Sequence, residues 1–318
     1  MEKTLRWLAV GLLALAALPA AAQEKFPSRN VEMIVPWGPG GGADVLGRVI
    51  ARWLETDLKA IVPVMNMAGA TGLIGIGKLV SAPADGHTIA VLTGDTALML
   101  TAPATPVKIT DLAVLGVMVR QPSGLFVKGD SRFRAWDDVV AEAKAKPGTV
   151  TVATTGPNSP DEATLDFLAT EGIRLVSVGY TKPGERYTAV LGGHVDLLYE
   201  QAGDIKGHLD SKALRPLLFF SPQRLAAPFA EIAVSGEYGY DVLLPQFRAI
   251  VTRAGTDPKR VAVLADSLER FAASPEYATY LREQLALTDS FIPARGAQAF
   301  LQQELDAMKR VVSVARKK

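Results

Sequence analysis

Val31-Glu32-Met33-Ile34-Val35-Pro36-Trp37-Gly38-Pro39-Gly40-Gly41-Gly42-Ala43-Asp44 reads as a strand, a glycine-rich turn and the first turn of a helix. Beyond it Val45, Leu46, Val49, Ile50, Trp53, Leu54 and Leu58 recur at helical spacing and draw one apolar stripe. A glycine turn feeding a helix N-terminus presents free backbone N–H groups at the positive end of the macrodipole. Such a place binds phosphates and carboxylates. Residues 38–43 also satisfy a loose G-x-G-x-x-A dinucleotide pattern, with Asp57 at about the offset of a ribose-binding acid. Asp57 falls inside the expected helix, however, rather than at the end of a second strand. A phosphate-loop nucleoside triphosphatase is excluded, because no Gly-Lys-Ser/Thr follows the glycines. A plain turn capped by Asp44 explains two glycines better than it explains four in five residues.

Outward from this stretch the chain alternates strands and helices. Strands are expected at 31–35, 61–65, 87–92, 125–127, 150–153, 175–178, 195–199, 214–220 and 247–251. Helices are expected at 44–58, 72–81, 136–146, 160–171, 186–191, 257–272 and 275–285. A last helix from about Gly296 carries Leu301, Leu305, Met308 and Val312 on one face. The alternation predicts an α/β fold with mostly parallel strands. Breaks at 121–124 and 244–246 mark two places where the chain could pass between lobes. In open α/β sheets ligands bind outside the carboxyl ends of the strands, so two facing lobes make a cleft.

Residues 1–22 have the build of an export signal: Lys3 and Arg6, an apolar core over 7–18, then Ala20-Ala21-Ala22 before the expected cut. That core is too short for a membrane span, although a retained anchor helix is the alternative reading. The chain holds 34 Lys+Arg and 33 Asp+Glu; cleavage removes two bases and one acid and leaves 32 of each. A neutral chain has no electrostatic footprint for nucleic acid or anionic membrane. The absence of cysteine excludes disulfides, thiolate metal sites, a cysteine nucleophile and a lipid anchor on Cys. With 318 residues and 48% hydrophobic content, one or two domains can rest on their cores alone.

Two further strand-to-helix loops could serve a ligand. Asn66-Met67-Ala68-Gly69-Ala70-Thr71-Gly72 follows a strand, and its small residues permit either close approach of a ligand or tight helix–sheet packing. Thr154-Thr155-Gly156-Pro157-Asn158-Ser159 precedes Pro160; Ser159 suits an N-cap, and Thr155 could offer its hydroxyl to a ligand. Catalytic readings find little support. His87, His194 and His208 lack metal-ligand spacing, and His87, after the Asp85-Gly86 turn, is expected at the surface. No G-x-S-x-G elbow is present, and 7% aromatics argues against a stacking platform.

In combination these motifs resemble those of the tripartite tricarboxylate transporter receptors, also called Bug proteins. The resemblance rests on residues 35–44, Arg48, Asn66 with 68–72, the run Ala82-Pro83-Ala84-Asp85-Gly86-His87-Thr88, and Leu191-Gly192-Gly193-His194-Val195-Asp196. It implies a two-lobed periplasmic binding protein of type II, each lobe a mainly parallel sheet flanked by helices, with a cleft between. It places the signal at 1–22, one lobe at 23–121 plus 248–318 and the other at 122–247. It implies a small organic acid as ligand, membrane permease subunits as partners, no cofactor or metal, no catalysis, and a monomer.

By the same resemblance one carboxylate is gripped by Trp37, Gly40, Gly41, Gly42 and Asp44 together with Ala68, Gly69, Ala70 and Thr71. The second lobe closes with Thr155, Ser159, Tyr180 and Glu200. The chain departs from the family pattern at Glu162, where a histidine is usual, and at Gly179 and 229–236. Glu200 reads either as a partner for an amine on the ligand or as a solvated charge at a strand end. Ligand bridging would favour closure, and several hydrogen bonds of roughly 0.5–1.5 kcal/mol, about twice that when charge-assisted, support about micromolar binding. A sensor-type receptor, or an exported enzyme on the same frame, are the other classes the sequence leaves open.

Overall fold

The computed structural model describes residues 25–102 and 105–316. The expected export signal, residues 1–22, lies outside them. In chain order the strands are β1 (Glu32–Val35), β2 (Val64–Asn66), β3 (Thr88–Thr93), β4 (Leu112–Gln121), β5 (Ser123–Lys128), β6 (Thr151–Thr154), β7 (Val176–Gly179), β8 (Leu197–Gln201), β9 (Leu214–Phe219), β10 (Ala233–Val234), β11 (Gln246–Arg253) and β12 (Ile292–Pro293). The α-helices are α1 (Gly42–Leu58), α2 (Leu73–Ser81), α3 (Gly94–Met99), α4 (Trp136–Ala145), α5 (Pro160–Thr170), α6 (Pro183–Leu191), α7 (Lys206–Asp210), α8 (Pro258–Ala272), α9 (Pro275–Glu283) and α10 (Ala294–Arg316).

The strands form two six-stranded sheets, ordered β12-β4-β11-β3-β1-β2 and β10-β9-β5-β8-β6-β7. Both are mixed. β1 pairs in parallel with β2 and β3, and β6 with β7 and β8. The strands that follow a passage between sheets enter antiparallel: β5 against β8 and β9, β11 against β3 and β4. Pro122, which cannot donate to a ladder, separates β4 of the first sheet from β5 of the second. The chain returns to the first sheet with β11, which begins at Gln246.

β4 was not expected from the sequence. Its ten residues are a nearly unbroken apolar run, buried on both faces between α8 and α10, so the polar alternation that betrays a surface strand is missing. α1 lies on the first sheet through Leu46, Ile50 and Leu54, each essentially fully buried, worth about 1.5–3 kcal/mol apiece. Gly47 lets it lie close: a Cβ there would come within 2.6 Å of Val35 Cγ2. α8 packs beside α1 in the same core, where the Trp53 indole donates to the Ser267 carbonyl at 3.0 Å. Asp57 belongs to this contact, paired with Arg270 and accepting the Ser267 hydroxyl, which disposes of the dinucleotide reading. α10 buries Ala297, Leu301, Leu305 and Met308 and packs against β4 and α3 on one side and α5 on the other, so it straddles both sheets.

His87 corrects an expectation. It is only 2% exposed; its Nε2 accepts the Ser28 amide at 3.2 Å and its ring stands edge-on to Phe26. The turn before it is at the surface, but the side chain points back beneath the N-terminal segment, and burial lowers its pKa.

Candidate functional site

The carboxyl ends of β1 and β3 face those of β6 and β8 across a cavity of about 40 Å³. From the first sheet come Trp37 and the start of α1 (Gly41, Gly42, Ala43), then Thr93 and Asp95 after β3, then Gln246 and Arg248 of β11. The indole of Trp37 donates to Thr93 Oγ1 at 3.2 Å and holds the two turns together. Across the cavity stand Thr155 and Asp161, then Pro183, Arg186 and Tyr187 of α6, then Tyr199, Glu200 and Gln201 of β8, with Asp204 just beyond.

Two buried ion pairs line this space, the first within the second lobe and the second between the lobes. Arg186 Nη2 meets Glu200 Oε2 at 2.5 Å, and the Tyr187 hydroxyl donates to the same oxygen at 3.0 Å. Glu200 Oε1 accepts the Gln201 amide at 3.1 Å. Arg248 of the first sheet pairs with Asp204 of the second lobe through Nη2, while its Nη1 donates to Gln121 Oε1 at 2.8 Å. Asp204 presses its other oxygen against the start of α1; a Cβ on Gly42 would collide with Asp204 Oδ1 and with the Arg248 guanidinium. Arg186 Nε, Arg248 Nε and Asp204 Oδ1 are buried without a hydrogen-bond partner among the described residues.

The acids at the other end of the cavity are held differently. Asp161 accepts the Thr155 amide at 2.7 Å and its hydroxyl at 3.0 Å; the same hydroxyl lies 3.4 Å from Asp95 Oδ1. Gln246 Nε2 donates to Asp95 Oδ2. Burial pushes the Asp161 carboxyl up to about 7, with the neighbouring Asp95 adding to the rise. Burial likewise raises Asp95, against the pull of the Gln246 amide. Asp204 is raised to about 6, burial prevailing over the attraction of Arg248. For Arg186 burial opposes the charge, but Glu200 outweighs it and the guanidinium stays protonated.

Of the residues singled out in the sequence, Trp37, Gly41, Gly42, Thr155 and Glu200 line the cavity. Glu200 is neither solvated nor free, being 4% exposed and paired with Arg186. Gly40, at φ +84°, gives its amide to Asp44 Oδ2 at 3.1 Å. Asp44 is further held by Arg48 Nε at 3.0 Å and Asn66 Nδ2 at 2.8 Å. Burial alone would raise its pKa, yet these bonds together lower it, so the carboxylate is spent on tying the first turn to β2. The loop Ala68, Gly69, Ala70, Thr71 stays outside the cavity wall: Thr71 is buried, and Gly72 abuts α3, where a Cβ would strike Thr96 Oγ1. Ser159 caps α5, accepting the Glu162 amide at 3.2 Å. Tyr180 offers its carbonyl to Arg186 Nη1 at 3.3 Å.

Sequence reasoning missed Asp95, Asp161, Arg186, Asp204 and Arg248. One signal was available: Arg248 interrupts the apolar run Phe247 to Val251, and a charge inside a buried strand requires a partner. Asp95 and Asp161 sit in first helical turns, where acids read as ordinary dipole partners. A larger cavity of about 540 Å³ opens between α3, α5 and α10, lined in part by Met99, Ser159, Glu162 and Lys309, but none of its lining residues comes from a strand. The described residues contain no cluster of three or more His, Cys, Asp or Glu placed for a metal ion, and no helix long and apolar enough to cross a membrane.

Two mixed sheets flanked by helices, with a cleft walled by the carboxyl ends of their strands, define a two-lobed solute-binding protein. The chain belongs to the tripartite tricarboxylate transporter receptor family, whose sequence model matches residues 46–315. Protein BugT of Bordetella pertussis is 31% identical over 255 residues, which are 78% of this chain and 77% of BugT. MatC of Rhodopseudomonas palustris, solved with bound malate, superposes with a TM-score of 0.82 at 20% identity over 90% of this chain and all (100%) of that one. The periplasmic binding protein BugD superposes at 0.81 with 22% identity, covering 91% of this chain and 98% of BugD. Members of this family are periplasmic solute receptors.

Proposed function

We propose that this protein is a periplasmic receptor that closes on a small organic carboxylate and delivers it, as a monomer and without chemistry of its own, to the membrane subunits of a tripartite tricarboxylate-type transporter. The observation that carries this reading is the meeting of Arg186, Arg248 and the N-terminus of α1 in one interlobe cavity. Guanidinium groups and a helix N-terminus are donors suited to a carboxylate. Asp204 stands in for the ligand: a carboxylate from the second lobe pressed against Gly42 and paired with Arg248. A ligand carboxylate would take that place. MatC, with its bound malate, supports a ligand of this class.

We assign the ligand contacts to Trp37, Gly41, Gly42, Thr155 and Glu200 with Arg186 and Arg248, and a supporting role to Gly40, Asp44 and residues 68–71. We place the hinge at the two passages between sheets, separating 23–121 and 248–318 from 122–247. Opening there parts Arg248 from Asp204, and a bridging ligand makes closure favourable. Gly41 tests the reading. Its φ of −87° suits any residue, but a Cβ would stand 2.7 Å from Pro183 Cγ across the cleft. Gly41→Val is expected to abolish calorimetric binding of any acid that a thermal-shift screen shows to bind wild type, with circular dichroism unchanged. Full affinity in that variant contradicts the assignment.

A further inference from the structure

We infer that the ligand carries a protonated amine beside its carboxylate, and that Asp95 and Asp161 receive the ammonium group. This rests on the receptor reading above and names the chemistry of the same cleft. The cavity wall holds four carboxyl groups, Asp95, Asp161, Glu200 and Asp204, against two guanidiniums, Arg186 and Arg248. Glu200 and Asp204 take the guanidiniums. Asp95 and Asp161 are each 3% exposed, and neither enters an ion pair among the described residues. Their neutral donors fall short. One hydroxyl hydrogen on Thr155 stands between Asp161 Oδ2 at 3.0 Å and Asp95 Oδ1 at 3.4 Å, and it can serve only one of them.

Two adjacent buried carboxylates, each with one neutral donor of its own and a single hydroxyl shared between them, require either a proton or a cation. The metal alternative lacks ligands, since no group of three or more suitable side chains gathers among the described residues. An ammonium group brings three N–H donors, enough for Asp95, Asp161 and the Thr155 oxygen at once. The placement also makes closure selective. Asp95 follows β3 of the first sheet and Asp161 opens α5 beside the second, so closing the lobes drives two negative charges together. A cation between them reverses the sign of that interaction. At the far end of the same cavity the partnerless Asp204 Oδ1 is a further buried acceptor. A tricarboxylate would meet an excess of acids here, whereas a compact zwitterion would find both signs.

The test is isothermal titration of the mature chain at neutral pH with matched pairs: aspartate and succinate, glutamate and glutarate, alanine and propionate. In at least one pair the amino acid is expected to bind about 30-fold or more tightly than its deaminated partner, the worth of one charge-assisted hydrogen bond. Asp161→Asn and Asp95→Asn, close in shape to the native side chains, are expected to bring the two members of that pair to within about threefold. Deaminated acids binding as tightly as, or more tightly than, their amino partners would overturn the inference and leave the receptor reading standing. An amine preference that survives in both variants would overturn the assignment to Asp95 and Asp161. Failure of every acid of either kind to bind would take the receptor reading down as well.

Discussion

At one end of the cleft Glu200 and Asp204 each face a guanidinium, while at the other Asp95 and Asp161 face each other across a threonine. Both ends are buried, and both are built from one residue set on each lobe. They differ in what the fold supplies. At the arginine end the charges are paired within the protein, and Asp204 already shows how a carboxylate sits against α1. The acid end has no ion pair of its own among the described residues; Arg186 acts on both acids without bonding to either, and a proton or a ligand cation would supply the direct partner. Buried charge that is internally paired reads as structure, and buried charge that is not reads as a request for a ligand.

The largest effect is expected where a paired carboxylate is made to resemble the unpaired ones. Arg186→Met removes the ion-pair partner that Glu200 has among the described residues and leaves a carboxylate at 4% exposure held by the Tyr187 hydroxyl and the Gln201 amide. The cost is expected to be about 3–5 kcal/mol of stability in urea unfolding; a loss below about 1 kcal/mol would mean that Glu200 is not held by charge.

The acid end responds to pH. The folded chain retains the Asp161 proton up to about pH 7, whereas the unfolded chain releases it near 3.8. Stability from this group is therefore full below the lower value and lost as pH rises through the higher one. The groups facing it are Asp95, Arg186 and Glu200, with Thr155 donating to it. Between about pH 5 and about pH 7 wild type should lose stability relative to Asp161→Asn by up to about 1.4 kcal/mol per pH unit. Asp204, raised to about 6, titrates in the same sense and leaves part of the slope in the variant. Superimposable melting profiles for the two proteins would show that Asp161 is not a buried proton holder. The smallest effect lies outside the cavity: Ser159→Ala removes the cap of α5 and should cost about 1 kcal/mol without changing ligand affinity. A binding defect there would return Ser159 to the site.

Two loops show what the sequence could and could not convey. Residues 37–42 and 68–72 look alike on paper, each a strand end leading through glycines to a helix. At Gly41 and Gly42 the missing Cβ leaves room for Pro183, Asp204 and Arg248 of the cleft; at Gly72 it leaves room only for Thr96 of the neighbouring helix. The glycine pattern was legible, but whether the space faces a ligand or the protein's own packing depends on contacts far away in the chain. The same holds for the charges. Arg248 and Asp204, or Asp95 and Thr155, are dozens of residues apart and meet only because β4 and β11 carry the chain between sheets. β4 was itself hidden by being uniformly apolar. The alternation of elements, the apolar stripe of α1 and the cap at Ser159 were readable because each is a local pattern.

A small acid is expected to bind between the lobes with its carboxylate against α1. The deciding measurement is a crystal structure of the mature chain with a bound acid. The carboxylate should lie within hydrogen-bond distance of the Gly41–Ala43 amides and Arg248, with Asp204 displaced. A carboxylate seated on residues 68–72, or outside the cleft with Asp204 still on Arg248, would contradict it.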